Sequence, residues 1–239
     1  MGTMAGDGFV EPTTGYWQAF APDGAAPAAP PYRSGFPARL PDGRVLTLPI
    51  RRRGGAPDRA VASFIPNQAS FQVVDALVAG MTEQARARVP DAVVALPTLG
   101  LALAPGVARA LGHTNYAPLG TSRKYWYEER LSTPVSSITS PDAAKRLYMD
   151  PNLRPRVAGR RVVVIDDTIS SGVTTLAAAR VAEAAGAEIA GFVFAMSQST
   201  VWREALDRER PDLTPKVRFL FQTPLLRLTE KGWVPEADA

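Results

Sequence analysis

The chain has 239 residues, 46% hydrophobic and 21% charged, enough to bury one sizeable core or a core with an attached lobe. It has no cysteine and one histidine, His113, which excludes disulfides, thiolate metal sites and Cys nucleophiles and argues against a Ser-His-Asp triad or a multi-His metal site. The net charge of +4 suits a protein that handles anions such as phosphates; no apolar run nears a membrane span and no secretory signal is read, so a cytoplasmic protein is expected.

Residues 1–43 are rich in Gly, Pro and Ala. Proline removes backbone donors and fixes φ, so this stretch is expected to be an extended arm rather than a long helix or a central strand. Residues 1–8 are expected to be disordered. Tyr16, Trp17, Phe20, Tyr32 and Phe36 give the arm large apolar faces with which to dock. From residue 44 to 239 the pattern tightens into one folded unit.

RVLTLPIR (44–51) alternates and reads as a strand, and the Arg51-Arg52-Arg53 run is either its solvated end or a phosphate or RNA contact. AVASFI (60–65) is a second short strand. In 70–87, Phe71, Val74, Leu77, Val78 and Met81 recur at helical spacing. DAVVALPT is a buried strand, 101–111 a helix with Pro105 in its first turn and Gly112 closing it, and 114–118 another strand. GTSRKYWYEERLSTPVSS (120–137) mixes aromatic, basic and acidic residues without a period, which fits a two-stranded ribbon or a mobile loop. VAGRRVVVIDD is a strand, TTLAAARVAEAAGA a helix ending at Gly186, and AEIAGFVFAM a further strand. The tail VRFLFQTP…GWVPE is read as a last strand with a lid-like extension. Continuous apolar strands separated by helices indicate α/β architecture with a central parallel sheet flanked by helices, in which ligands bind at the carboxyl ends of the strands.

The most informative segment is VVVIDDTISSGVTT (162–175), where four apolar residues run into adjacent carboxylates. Helix N-termini present unpaired N–H groups and a positive dipole end. Ser170, Ser171, Thr174 and Thr175 add hydroxyl donors and Gly172 permits close backbone approach, so a monophosphate fits this turn. No lysine follows at Walker spacing. Asp166 and Asp167 can accept hydrogen bonds from two vicinal hydroxyls. The two features are spaced for a ribose 5-phosphate, with its hydroxyls at the acid pair and its phosphate at 170–175.

The segment resembles the PRPP-binding signature of type I phosphoribosyltransferases: four apolar residues, two acids, two variable residues, then a small residue, Ser or Thr, Gly, a variable residue and Thr. The resemblance implies the fold of that family, with a variable hood over the parallel core. It implies that Asp166 and Asp167 meet the ribose hydroxyls, and contact Mg²⁺ through water, while Ser170, Ser171, Gly172, Val173 and Thr174 cradle the 5′-phosphate. Many relatives have a second glycine where Val173 stands, a change that spares a backbone N–H contact. VVALPTLGLALA resembles the family's pyrophosphate loop, formed here by Pro97, Thr98, Leu99 and Gly100. Relatives often carry Arg or Lys there; this chain does not, so that charge must be met elsewhere. TSRKYWYEERLSTPVSSITS resembles the flexible loop of purine-type members, with Arg123 and Lys124 serving the pyrophosphate and Glu128 or Glu129 available for proton transfer.

Where hypoxanthine-guanine enzymes place an Asp that serves the base ring, this chain has Ser170, whose hydroxyl cannot act unassisted as a base. That departure resembles adenine-, xanthine- and orotate-type members, and the loop with the SSITS segment after it is most similar to the adenine/xanthine style, so purine-type chemistry is the expectation: PRPP and a nucleobase as substrates, pyrophosphate as leaving group, Mg²⁺ as cofactor, no nucleic acid or membrane partner, and a homodimer. Trp233, Phe194 and Trp202 are candidates to stack the base. The alternative is a non-catalytic PRPP sensor on the same fold.

Overall fold

The computed structural model describes residues 15–135 and 145–236. Its centre is a seven-stranded sheet in the order β10-β9-β8-β4-β5-β7-β6, built from β4 (Ala92–Ala95), β5 (Ala117–Gly120), β6 (Ser132–Pro134), β7 (Arg146–Met149), β8 (Arg161–Ile169), β9 (Glu188–Gln198) and β10 (Val217–Thr223). The strands from β10 to β5 are parallel, as the apolar runs indicate, but β7 and β6 are antiparallel. The sheet is therefore mixed, because the 120–135 segment folds back on 146–149 instead of crossing over a helix. Within 120–135 only Ser132–Pro134 adds a strand after β5, and its partner β7 lies outside the segment, while 121–131 is a loop ending in a 3₁₀ turn; the SSITS segment (136–140), like residues 1–14, lies outside the described residues.

β8 explains its own sequence. Val163 and Ile165 enter one core, while Val162 and Val164 enter another on the opposite face. A strand covered on both faces has no reason to alternate. The first core is closed by α1 (Phe71–Arg86) and α2 (Ala104–Ala110), the second by α3 (Val173–Ala184) and α4 (Trp202–Glu209). Helix α1 is capped by Ser70, whose Oγ accepts the Val73 N–H at 3.3 Å. It buries Val73, Leu77, Met81 and Ala85. Phe71, expected on that stripe, is instead 86% exposed, because at about 100° per residue it falls to one side of the Val73–Leu77–Met81–Ala85 line. The 101–111 segment is two pieces, a 3₁₀ turn over Leu99–Ala102 and then α2, with Pro105 in the first turn as expected.

A second, five-stranded sheet in the order β1-β2-β3-β11-β12 joins β1 (Gly35–Arg39), β2 (Val45–Arg53) and β3 (Ala56–Ala62) to β11 (Leu225–Thr229) and β12 (Gly232–Pro235). The tail is thus no lid: β11 pairs with β3 and continues the sheet. The Pro-rich arm supplies the edge strand β1, where a proline is tolerated, and Tyr32 bridges to Trp233. Trp17 and Phe36 are buried in the shared core, with Tyr16, Phe20 and Tyr32 packed against it.

Candidate active site

The acid pair sits where β8 leaves the sheet. Asp166 is 7% exposed, and Asp167 is half-buried. The Asp167 N–H donates to Asp166 Oδ1 at 2.9 Å, and Thr168 Oγ1 donates to Asp167 Oδ2 at 3.0 Å. The Gly100 N–H also donates to Asp166. Burial, and then the neighbouring Asp167 charge, push the Asp166 carboxyl well above the usual carboxylate range. Asp166 is therefore a group that gains from any hydroxyl donor or cation brought to it.

Beyond the pair the chain turns into α3 through Gly172, at φ 79°. A side chain there meets two obstacles. The left-handed backbone disfavours it, and a Cβ would lie 2.7 Å from Leu206 Cδ1 and 3.0 Å from the Trp202 carbonyl oxygen on α4. α4 thereby backs the turn. Ser170 and Ser171 are exposed ahead of the helix terminus, and Val173 opens it. Thr174 faces the cavity described next, whereas Thr175, expected among the donors, is buried at 2% exposure. Consecutive helical residues point in different directions, so only one of the two threonines reaches the mouth.

A cavity of about 280 Å³ opens between the Pro97–Thr98–Leu99 turn, the acid pair, Thr174 and Lys145. The Pro97–Thr98 peptide is cis. Gly100 lies against the β8 backbone: a Cβ would stand 2.7 Å from Asp166 Oδ1 and 2.9 Å from both the Asp166 Cα and the Ile165 carbonyl oxygen. The 97–100 turn and the acid pair are thus one packed unit. Lys145 was not anticipated. It precedes β7, and its carbonyl accepts the Val135 N–H at 2.8 Å as the β6–β7 ribbon closes. That pairing carries a cation to the turn that lacks one of its own.

Arg123 and Lys124 are not among the residues lining this cavity. They lie exposed on the 121–128 loop, where Arg123 faces Glu129 at 3.6 Å. The loop is held by Trp126 Nε1 donating to Asp150 Oδ2 at 3.1 Å and by the buried Leu131. Glu128 and Glu129 are engaged in ion pairs with Arg130 and Arg146.

On the other side of the 170–174 turn is a second cavity, of about 200 Å³, lined by Ser170 and Ser171, the end of β9 at Gln198–Ser199, Arg53, Val61 and Leu225. Arg53 is exposed at the end of β2 and forms one wall of this cavity. Ser199 is at φ 61° and buried, held by its N–H to the Thr223 carbonyl at 2.7 Å and by Ser197 Oγ donating to its own carbonyl at 2.8 Å. A serine in this region is strained unless its surroundings fix it, and such residues gather at ligand sites. The stacking candidates do not line this cavity: Trp233, Phe194 and Trp202 are each at most 1% exposed, in the core. Large aromatics supply core volume first, and sequence pattern does not distinguish that use from stacking.

No helix among the described residues is long and apolar enough to cross a membrane. In comparison with known proteins, residues 61–220 match the phosphoribosyl transferase domain family. A 74-residue stretch, 30% of this chain, is 39% identical to the orotate phosphoribosyltransferase of Bacillus caldolyticus and spans 34% of that protein, about a third of its length. Among solved structures, adenine phosphoribosyltransferase from Thermoanaerobacter pseudethanolicus superposes with a TM-score of 0.60 at 18% identity, over 74% of this chain and 95% of that one. The Rhodothermus marinus adenine phosphoribosyltransferase gives 0.57 at 19% identity, over 74% and 94%. At these identities the solved structures speak for the fold. Since the domain match runs from β3 through β10 and so takes in both cavities' main walls, the chain belongs to the phosphoribosyl transferase domain family.

Proposed function

We propose that the protein transfers the 5-phosphoribosyl group of PRPP to a nucleobase, a purine on the sequence reading, and releases pyrophosphate. The observation that carries this reading is the disposition of two cavities about β8. In the sheet order β9-β8-β4, the acid pair and the phosphate turn belong to the middle strand. Displacement at C1 of the ribose needs the leaving group and the incoming nitrogen on opposite faces. The 280 Å³ cavity over the β4 turn suits the pyrophosphate, and the 200 Å³ cavity at the end of β9 suits the base. The second sheet, which walls the base side, is read as the hood.

Asp166 and Asp167 accept from the two ribose hydroxyls. Their negative charge also lies close to the positive charge that develops on the ring in an oxocarbenium-like transition state. The Thr98 and Leu99 N–H groups and the Lys145 ammonium meet the pyrophosphate. Ser170, Ser171, Gly172, Val173 and Thr174 hold the 5′-phosphate at the α3 terminus. Arg123 and Lys124 add charge when the 121–128 loop swings over the cavity, which also excludes water.

The acid pair fits Mg²⁺. Magnesium binds through one or two carboxylates and keeps waters and substrate phosphates for its other positions. Among the described residues no group of three or more His, Cys, Asp or Glu could form a self-sufficient cage, so the fit is to an ion that arrives with PRPP. When bound, it would offset pyrophosphate charge; the residues that would hold it are Asp166 and Asp167.

A PRPP sensor would share this binding and stop there. A pyrophosphate turn without a cation would favour the sensor, and Lys145 at the same cavity supports the enzyme instead. The test is incubation with PRPP, Mg²⁺ and a nucleobase panel. Nucleotide and pyrophosphate in equal amounts are expected with at least one base. PRPP binding without product from any base would reverse the choice.

A further inference from the structure

Arg53 is the only cation among the described lining residues of the base-side cavity. We infer that it selects a base presenting oxygen acceptors, an oxopurine or a carboxylated pyrimidine, over adenine. The inference rests on the phosphoribosyl reading and narrows its substrate.

The guanidinium offers donors and no acceptor. Its partners must therefore be acceptors, and a carbonyl or carboxylate oxygen carries more negative charge to a cation than the neutral ring nitrogens of adenine do. The cavity's neutral polar groups are already partly used. Gln198 Nε2 points to the Ala62 carbonyl at 3.4 Å, Ser199 Oγ accepts the Val201 N–H at 3.3 Å, and the Ser199 carbonyl accepts from Ser197. Adenine's exocyclic amine is a donor, and the Gln198 side-chain oxygen is the main neutral acceptor left to it. A charge-assisted hydrogen bond is about twice as strong as a neutral one. The Arg53 preference therefore outweighs the Gln198 one.

The 5′-phosphate is the other anion that could claim Arg53. Its end of the site is served by the α3 terminus and the hydroxyls of 170–174. Arg53 comes instead from β2 of the second sheet and lines the cavity together with Val61 and Leu225, which pair across β3 and β11. Apolar side chains of that kind suit the faces of a ring.

Product nucleotides share the ribose 5-phosphate, so their equilibrium binding isolates the base and needs no turnover. Xanthosine or orotidine monophosphate should bind the wild type about 10- to 100-fold more tightly than AMP. Which of the two is tighter identifies the ring. Arg53→Met should erase the preference and leave ribose 5-phosphate affinity unchanged, and Arg53→Lys should restore part of it. AMP binding as tightly as either oxo nucleotide would overturn the inference. So would a Met variant that weakens ribose 5-phosphate as much as every nucleotide, since Arg53 would then serve the phosphate. A wild type that binds no ribose 5-phosphate would bring down the phosphoribosyl reading itself, and the inference with it.

Discussion

Adding one methyl group at Gly100 should uncouple the 97–100 turn, the proposed pyrophosphate site, from the acid pair. A Cβ there would lie 2.7 Å from Asp166 Oδ1 and 2.9 Å from the Asp166 Cα and the Ile165 carbonyl oxygen, where ordinary contact begins at 3.4 Å. Two of the three obstructing atoms are backbone, so no rotamer change relieves them. Either the turn or the end of β8 must move by several tenths of an ångström. Overpacking of this kind costs about 1–3 kcal/mol, and for a chain of this size each kcal/mol lowers Tm by about 2–4 °C. Gly100→Ala should therefore melt about 3–10 °C below wild type. The functional loss should be larger in proportion. A displacement approaching 1 Å in a positioning element costs about 10²-fold in rate, so kcat/KM for PRPP should fall by about that factor. Gly106→Ala is the control. Its Cβ would meet Val78 Cγ1 and Cγ2 at 2.9 Å, in the packing of α2 on α1 and remote from the acid pair. It should lower Tm comparably and leave kcat/KM near wild type. If Gly100→Ala loses no more activity than Gly106→Ala, the turn and the acid pair are not a coupled catalytic unit.

Replacing both Asp166 and Asp167 by Asn should abolish PRPP binding without unfolding the protein. The Asp166 pKa is raised in the fold, so the folded chain holds its proton more tightly than the unfolded chain. The resulting penalty is absent below the ordinary carboxylate pKa and grows as pH rises toward the folded value. The double variant should thus gain stability relative to wild type as pH rises through that window; a relative loss in a pH series of melting curves would mean the pair is structural. Lys145→Ala should lower kcat more than it weakens PRPP affinity, because a donor that meets the developing pyrophosphate charge acts chiefly in the transition state, and removing one costs about 10²–10³ in rate. Equal losses in binding and turnover would assign Lys145 to ground-state binding. Gly172→Ala, obstructed by Leu206 and Trp202, should weaken inorganic phosphate binding measured by calorimetry; unchanged affinity would put the phosphate elsewhere.

Much of the site was legible because its parts are contiguous. The 162–175 segment carries acid pair, turn and helix start in one run, and the apolar strands before each polar turn announced a sheet buried on both faces. What stayed hidden depends on pairing between distant segments. Lys145 acquires its place from the β6–β7 ribbon, and Arg53 from the approach of the second sheet to the phosphate turn. Neither lies in a motif. β1 was masked by Gly35 and Pro37, which weigh against a central strand but not against an edge. α4 was missed because its apolar contribution is essentially Trp202 and Leu206 in a charged octet, too few to show a period. The aromatic candidates differ for the opposite reason: a Trp or Phe in a sequence serves core and ring stacking equally well, and here Trp233, Phe194 and Trp202 are all in the core.

The second sheet is assembled from residues 35–62 and 225–235, segments that flank the entire central sheet in the sequence. On the ribosome, the seven-stranded sheet is complete in outline before β11 and β12 emerge. Until they do, β3 has no partner on its β11 side and the Leu225 side of the wall beside Arg53 is missing. Loop-closure entropy makes so distant a pairing the last to form. A nascent chain would accordingly hold its phosphate turn, made of local contacts, well before it could discriminate one base from another.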